Sequence, residues 1–259
     1  MSVGTLEAHL RVRREAGKKL LVPYVTGGYD DEWLDVVRAV ADAGADAIEI
    51  GIPFSDPVMD GPVIQEASET ALRRGTTPQS ILTSLADLDA GVPLAVMLYY
   101  NTVFHMGHER FAHELVTAGV AAAIVPDCPL EEIGPWADAA DPAGIETVML
   151  AAPTAPDERL PRICERARGF VYAVGLLGVT GERAALADSA TIIAGRLKAV
   201  TDKPVLIGVG VGTADQAVEA STVADGVVVG TALVRRLLEG AGPEGAAAFV
   251  GELRTALDR

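Results

Sequence analysis

Residues 31–53 read DEWLDVVRAVADAGADAIEIGIP, and two periodicities meet in them. Over residues 31–43, Leu34, Val37 and Val40 recur at three-residue steps and share one face of a helix. Past Gly44 the pattern becomes alternation, with Ile48 and Ile50 on one side of a strand and Ala47, Glu49 and Gly51 on the other. The same two patterns recur along the chain. Apolar runs at residues 20–25, 47–50, 93–100, 121–125, 146–150, 170–174, 204–209 and 226–229 are bounded by turn residues. Helical stretches separate them, such as 110–118 with Phe111 and Leu115. Strands that are apolar on both faces and joined through helices run parallel. Eight such units in 259 residues predict an α/β chain folded as one closed (β/α)8 TIM barrel, a single domain over residues 1–259. Residues 6–14, with Leu6 and Leu10 at helical spacing, predict an N-terminal helix that caps the barrel's bottom and exposes its charges to solvent.

Thirty-six acidic against 21 basic side chains leave a net charge of -15, which argues against nucleic acid or an anionic membrane as the main partner, since both are bound through Lys and Arg. With 49% hydrophobic and 22% charged residues the composition is that of a globular chain. Cys128 and Cys164 are too few for a disulfide framework, no basic-then-apolar leader opens the sequence, and no apolar run approaches the roughly 20 residues of a membrane span. The expected location is the cytoplasm.

In a barrel of this kind the chemistry sits in the loops that follow the strands. Alternation aims Glu49 into the barrel mouth, where a partly dry carboxyl has a raised pKa suited to proton transfer; a structural Glu paired with Arg or Lys is the alternative. The next loop, Pro53-Phe54-Ser55-Asp56-Pro57-Val58-Met59-Asp60-Gly61-Pro62, presents Asp56 and Asp60 on a chain restricted by three prolines. Tyr99, Tyr100 and Asn101 end the third strand and could line a pocket for a flat aromatic group, whereas His105 and His108 read as solvated. After the last two strands come Gly208-Val209-Gly210-Val211-Gly212-Thr213 and Gly230-Thr231, each opening into a helix. Such turns hold phosphate with backbone N–H groups at positive helix ends, or else are merely turn and packing glycines. After the sixth strand Gly178-Val179-Thr180-Gly181-Glu182-Arg183 begins a long loop, expected to be a mobile lid, with the helix starting near Thr191. No metal-ligand spacing, catalytic Ser/His/Asp set, dinucleotide fingerprint or P-loop is present.

Taken in order, Glu49, Pro53-Phe54-Ser55-Asp56-Pro57, Asp60-Gly61-Pro62, Tyr99-Tyr100-Asn101, Pro126-Asp127, Ala152-Pro153-Thr154 and Gly178-Val179-Thr180-Gly181 closely resemble the tryptophan synthase alpha subunit family, over about residues 21–234. The resemblance implies retro-aldol cleavage of indole-3-glycerol phosphate to indole and glyceraldehyde 3-phosphate, a carbon–carbon lyase reaction of tryptophan biosynthesis with neither metal nor organic cofactor. It implies Glu49 as the acid/base and Asp60 as acceptor of the indole N–H, roles whose different pKa values are expected from an apolar strand around Glu49 and a polar loop around Asp60, with Thr180 bonding Asp60 when the lid closes. Gly181, Gly210, Gly230 and Thr231 correspond to a phosphate cradle, and Tyr24 and Tyr172 to pocket-lining aromatics. The implied partner is a beta subunit, in an alpha2beta2 complex, that binds pyridoxal phosphate and receives indole by a tunnel; the loops of Asp56 and Thr180 would touch it. Three positions depart from the family pattern: Gly175-Leu176-Leu177 replaces a polar pair before Gly178, Thr102 the usual Pro, and Met59 a small residue. Other readings are a stand-alone lyase that releases indole, a non-catalytic phosphate-binding regulator of a beta subunit, and another phosphate-binding barrel such as a sugar-phosphate isomerase. Of the 21 basic residues only Arg183 falls within these motifs and the lid, so the phosphate is expected to rest mainly on backbone N–H groups.

Overall fold

The computed structural model of the chain describes residues 3–175, 183–208 and 210–259, and of 183–188 the backbone alone. Eight parallel strands close into a barrel in sequence order. They are β1 (Leu20–Thr26), β2 (Ile48–Gly51), β3 (Leu94–Met97), β4 (Ala122–Ile124), β5 (Glu146–Ala151), β6 (Val171–Ala173), β7 (Val205–Ile207) and β8 (Gly226–Val229). The first helix, α1 (Thr5–Glu15), precedes the barrel. Between strands run α2 (Trp33–Asp42), α3 (Pro62–Arg73), α4 (Pro78–Ala86), α5 (Tyr100–Met106), α6 (His108–Thr117), α7 (Gly134–Ala143), α8 (Leu160–Arg166), α9 (Arg183–Lys198) and α10 (Ala214–Ser221). Two more, α11 (Thr231–Leu238) and α12 (Gly242–Leu257), follow β8. The (β/α)8 TIM barrel expected from the alternation is present. At its seam β1 pairs with β8, Leu20 opposite Gly226, and a Cβ on Gly226 would lie 2.1 Å from the Leu20 carbonyl oxygen, so only glycine lets the strands meet there. None of the described helices is long and apolar enough to cross a membrane.

The alternation read in residues 47–51 separates two cores. Ile48 and Ile50 join the layer between barrel and helices, with Val36, Val37 and Val40 of α2. Ala47 faces the barrel interior, which is filled by Val22, Ala95, Ile124, Val148, Phe170 and Leu206. Leu34, expected on the buried stripe of α2, is only half-buried, because Trp33 takes the place against the core.

Leu6 and Leu10 of α1 insert fully buried into the interior cluster and plug the barrel's bottom; burying a leucine contributes about 1.5–3 kcal/mol. The N-cap of α1, Gly4, offers no side chain. The cap comes instead from Glu146, at the start of β5, which accepts from Leu6 N (2.6 Å) and Glu7 N (3.0 Å). The charges of α1 are not the solvated face expected. Glu7 is buried beside Arg11 (2.9 Å), Arg13 reaches Asp46 (2.6 Å), and Arg11 and Arg14 hold Asp202 (2.7 and 3.3 Å). Asp46 is itself inside, bound also by Arg254 (3.1 Å) and Leu21 N (2.8 Å).

Two boundaries differ from expectation. The run at 93–100 yields a strand only to Met97, since Tyr100 already opens α5. Helix α9 starts at Arg183 rather than near Thr191, which suits the helix formers Arg183, Ala184, Ala185, Leu186 and Ala187.

Candidate active site

A cavity of about 530 Å³ opens at the C-terminal ends of the strands, with Glu49 and Asp60 in its wall together with Tyr24, Tyr172, Gly210, Gly230 and Thr231. Strand β2 fixes Glu49, which stands in register between Tyr24 of β1 and Ala95 of β3. Its side chain turns inward because its neighbours Ile48 and Ile50 turn outward into the helix layer. Glu49 is 1% exposed, and its Oε2 has no hydrogen-bond partner. Burial, followed by the charge of Asp60, pushes its pKa up to about 8. Among the described residues no cation pairs with it, so the structural ion-pair alternative finds no partner here.

Asp60 lies at the end of the proline-restricted loop, just before α3. The sequence placed it in a polar setting, yet burial raises its pKa as well, and the Tyr99 hydroxyl offsets part of that rise. The two carboxyls thus sit in one partly dry cavity, and Glu49, the more buried, holds its proton nearer to neutrality.

Two tyrosine rings floor the cavity, and glycines make room for them. A Cβ on Gly51 would lie 1.8 Å from the Tyr24 hydroxyl oxygen, and one on Gly208 would lie 2.0 Å from the Tyr172 ring. Gly208 is therefore a packing glycine. Burial holds both phenols well above their ordinary pKa, so they are neutral surfaces.

The phosphate loops divide. At α10 the N-terminus is capped in part: Thr213 Oγ1 accepts from Gln216 N (3.3 Å), and Gln216 Oε1 accepts from Gly212 N just before the helix (2.8 Å). At α11 the N-cap is Gly230, which brings no side chain to bond the first turn, and Thr231 opens the helix at the cavity wall. An anion there meets N–H groups and the positive end of the helix. Gly210 borders the same cavity with φ +84°, a conformation that favours glycine. No Lys, Arg or His lines the cavity among the described residues, and no cluster of His, Cys, Asp and Glu among them suits a metal.

Tyr100 is not in this cavity. It is the first residue of α5, its hydroxyl lies 2.9 Å from His108 Nε2, and its backbone N–H donates to Asp127 Oδ1 (2.8 Å). His108 is accordingly engaged rather than merely solvated. The neighbour Tyr99 is the residue that matters: its hydroxyl accepts from Met59 N (2.9 Å) and its ring stacks on Phe54 at 5.1 Å. Strand alternation cannot tell these two apart once the strand has ended at Met97. Thr180, Gly181 and the expected lid at 178–183 lie outside the described residues, apart from the backbone of Arg183.

The family model described as tryptophan synthase alpha chain matches residues 10–254. A tryptophan synthase alpha chain of Streptomyces avermitilis is 41% identical over 252 residues, covering 94% of this chain and 91% of its own. One of Thermobifida fusca is 42% identical over 240 residues, covering 90% and 89%. Among solved structures, tryptophan synthase from Mycobacterium tuberculosis in space group F222 is similar with a TM-score of 0.91 and 37% identity, over 99% of both chains. Tryptophan synthase subunit alpha from Legionella pneumophila gives 0.87 and 29%, again over 99% of both.

Proposed function

The chain belongs to the tryptophan synthase alpha chain family, and from that premise we propose that Glu49 and Asp60 cleave indole-3-glycerol phosphate to indole and glyceraldehyde 3-phosphate. The observation that carries this reading is a buried, unpaired carboxyl with a pKa of about 8, facing a second carboxyl across an apolar cavity. Breaking the bond from indole C3 to the side chain needs a proton on C3, a stabilised positive charge at the ring nitrogen, and loss of the proton from the adjacent hydroxyl. Glu49, largely protonated near neutral pH, donates to C3. Asp60, as carboxylate, accepts the indole N–H and stabilises the iminium formed there. The Glu49 carboxylate then takes the hydroxyl proton; the C–C bonding electrons return to the ring as the aldehyde forms. Glu49 ends as it began.

Tyr24 and Tyr172 offer flat neutral surfaces to the indole. The phosphate rests on the α11 N-terminus at Gly230 and Thr231, with Gly210 opposite; with two carboxyls and no cation in the described wall, backbone N–H groups carry that role. Thr180 and Gly181 complete the site as the family's pattern implies. The chain needs no cofactor of its own. Pyridoxal phosphate belongs to a beta subunit, which takes up the indole in an alpha2beta2 complex in the cytoplasm.

Purified protein is incubated with indole-3-glycerol phosphate, with and without a cognate beta chain, and indole and glyceraldehyde 3-phosphate are assayed. Equal release of both, lost in Glu49→Gln with substrate binding retained, supports the reading. Near-normal turnover in that variant would sink the acid/base assignment. Strong activation by the beta chain separates an alpha subunit from a stand-alone lyase.

A further inference from the structure

We propose that Tyr99, which does not line the cavity, is a positioning residue that holds Asp60 at its working depth, an inference that rests on the lyase reading above. The loop from Pro53 to Pro62 is exposed at Val58 (75%) and Met59 (37%), and its three prolines remove backbone donors that would tie it down. Asp60 is nonetheless presented to the cavity. Among the described residues, two attachments hold it. Gln65 Nε2 of α3 donates to the Asp60 carbonyl (2.8 Å), and the Tyr99 hydroxyl accepts the N–H of Met59 (2.9 Å), immediately before Asp60.

Tyr99 also fixes the far end of the loop, through its ring on Phe54. One side chain thus grips residues 54 and 59, and it is 5% exposed at the corner between β3 and α5, with little freedom to move. The corner that carries it is pinned in turn by the bond from Tyr100 N to Asp127, in the loop after β4. Barrel rigidity reaches an exposed loop by this route, as an active-site carboxylate requires.

Because the Tyr99 oxygen accepts from Met59, its own proton is left to donate, and Asp60 is the acceptor beside it; this lowers the pKa of Asp60, and burial with that bond pushes the phenol to about 12. Among the described residues, the titratable groups that face Asp60 are Glu49 from β2, Tyr24 from β1 and Tyr99 from the corner after β3.

The test is Tyr99→Phe in the full chain, which keeps the ring stack and removes the hydroxyl, with lyase turnover measured from pH 5.5 to 9. We expect kcat to fall about 10- to 100-fold, as for a misplacement near 1 Å, with KM changed less than threefold. The acid limb of the kcat profile moves to higher pH, because Asp60 loses the bond that favours its charged form. A second variant, Phe54→Leu, keeps the hydroxyl and loosens only the stack; its kcat falls while the acid limb stays. Amide exchange at Met59 rises in Tyr99→Phe and reports the lost bond independently of activity. An unmoved acid limb in Tyr99→Phe, whether kcat falls or not, overturns the proposal. If the unmodified protein releases no indole, the lyase reading fails and the proposal with it. If it does, and Glu49→Gln is dead while Tyr99→Phe is normal, the proposal fails alone.

Discussion

Replacing Glu49 by Gln should stabilise the protein, by an amount set by pH. In the unfolded chain a Glu ionises near 4.5; inside the barrel mouth it does so at about 8. Below pH 4.5 both states are protonated and burial of this side chain is compatible with full stability. As pH rises, the unfolded chain gives up the proton while the folded one retains it, so stability falls by about 1.4 kcal/mol per pH unit. The loss levels off once the folded group also ionises, above pH 8, at about 5 kcal/mol. Gln has nearly the same shape and cannot ionise, so the variant escapes this loss. The difference in unfolding free energy, variant minus parent, should be near zero at pH 4.5, grow through neutrality and plateau by pH 9. In melting temperature the plateau is on the order of 10 to 20 °C. Urea unfolding of both proteins at six pH values measures it. A difference that does not change with pH would refute the reasoning, since it would show that the carboxyl ionises alike in the folded and unfolded chains.

Gly51→Ala drives a methyl against the Tyr24 hydroxyl and should cost about 1–3 kcal/mol in urea unfolding while raising KM for the indole substrate. Gly230→Ala has room, with Tyr24 Cβ at an ordinary 3.5 Å, whereas Gly230→Leu obstructs the N–H groups of α11 and should raise KM about tenfold or more with the smaller effect on kcat; equal KM values for Leu and Ala would place the phosphate elsewhere. Glu146→Ala strips the acceptor from Leu6 and Glu7, a loss of about 1–3 kcal/mol, visible as faster amide exchange confined first to α1.

The barrel was legible in the sequence because its signal is repetitive and local: each apolar run needs only its own composition and flanking turns to be read. Glu49 was legible for the same reason, as one polar residue in an alternating strand. What failed depended on distance or on a change of phase. Tyr99 and Tyr100 are adjacent and chemically alike, and the choice between them is made by a corner at Leu98 where strand geometry gives way to helix. Asp60 was assigned a polar setting from its neighbours in the loop, but its surroundings come from β1, β2 and the corner after β3. The charges of α1 looked like a solvated face because two of their partners, Asp46 and Asp202, lie 33 and 191 residues away, beyond any periodicity. The glycines after β7 and β8 looked equivalent, and only the side chains of Thr213 and Gln216, which cap part of the α10 terminus while α11 has no side-chain cap, show that they are not.

The cap that Glu146 places on α1 has a consequence in time. Leu6 and the carboxylate it donates to are 140 residues apart, and synthesis at about 5–20 residues per second separates their emergence by about 7 to 28 s. An isolated 11-residue helix is marginal in water, so α1, once out of the ribosome, spends that interval without the contacts that hold it. The interior leucines it carries stay uncovered until the strands they plug exist. A nascent chain that has not yet reached Glu146 therefore exposes the plug of a barrel not yet built, and is the stage at which a chaperone would find it.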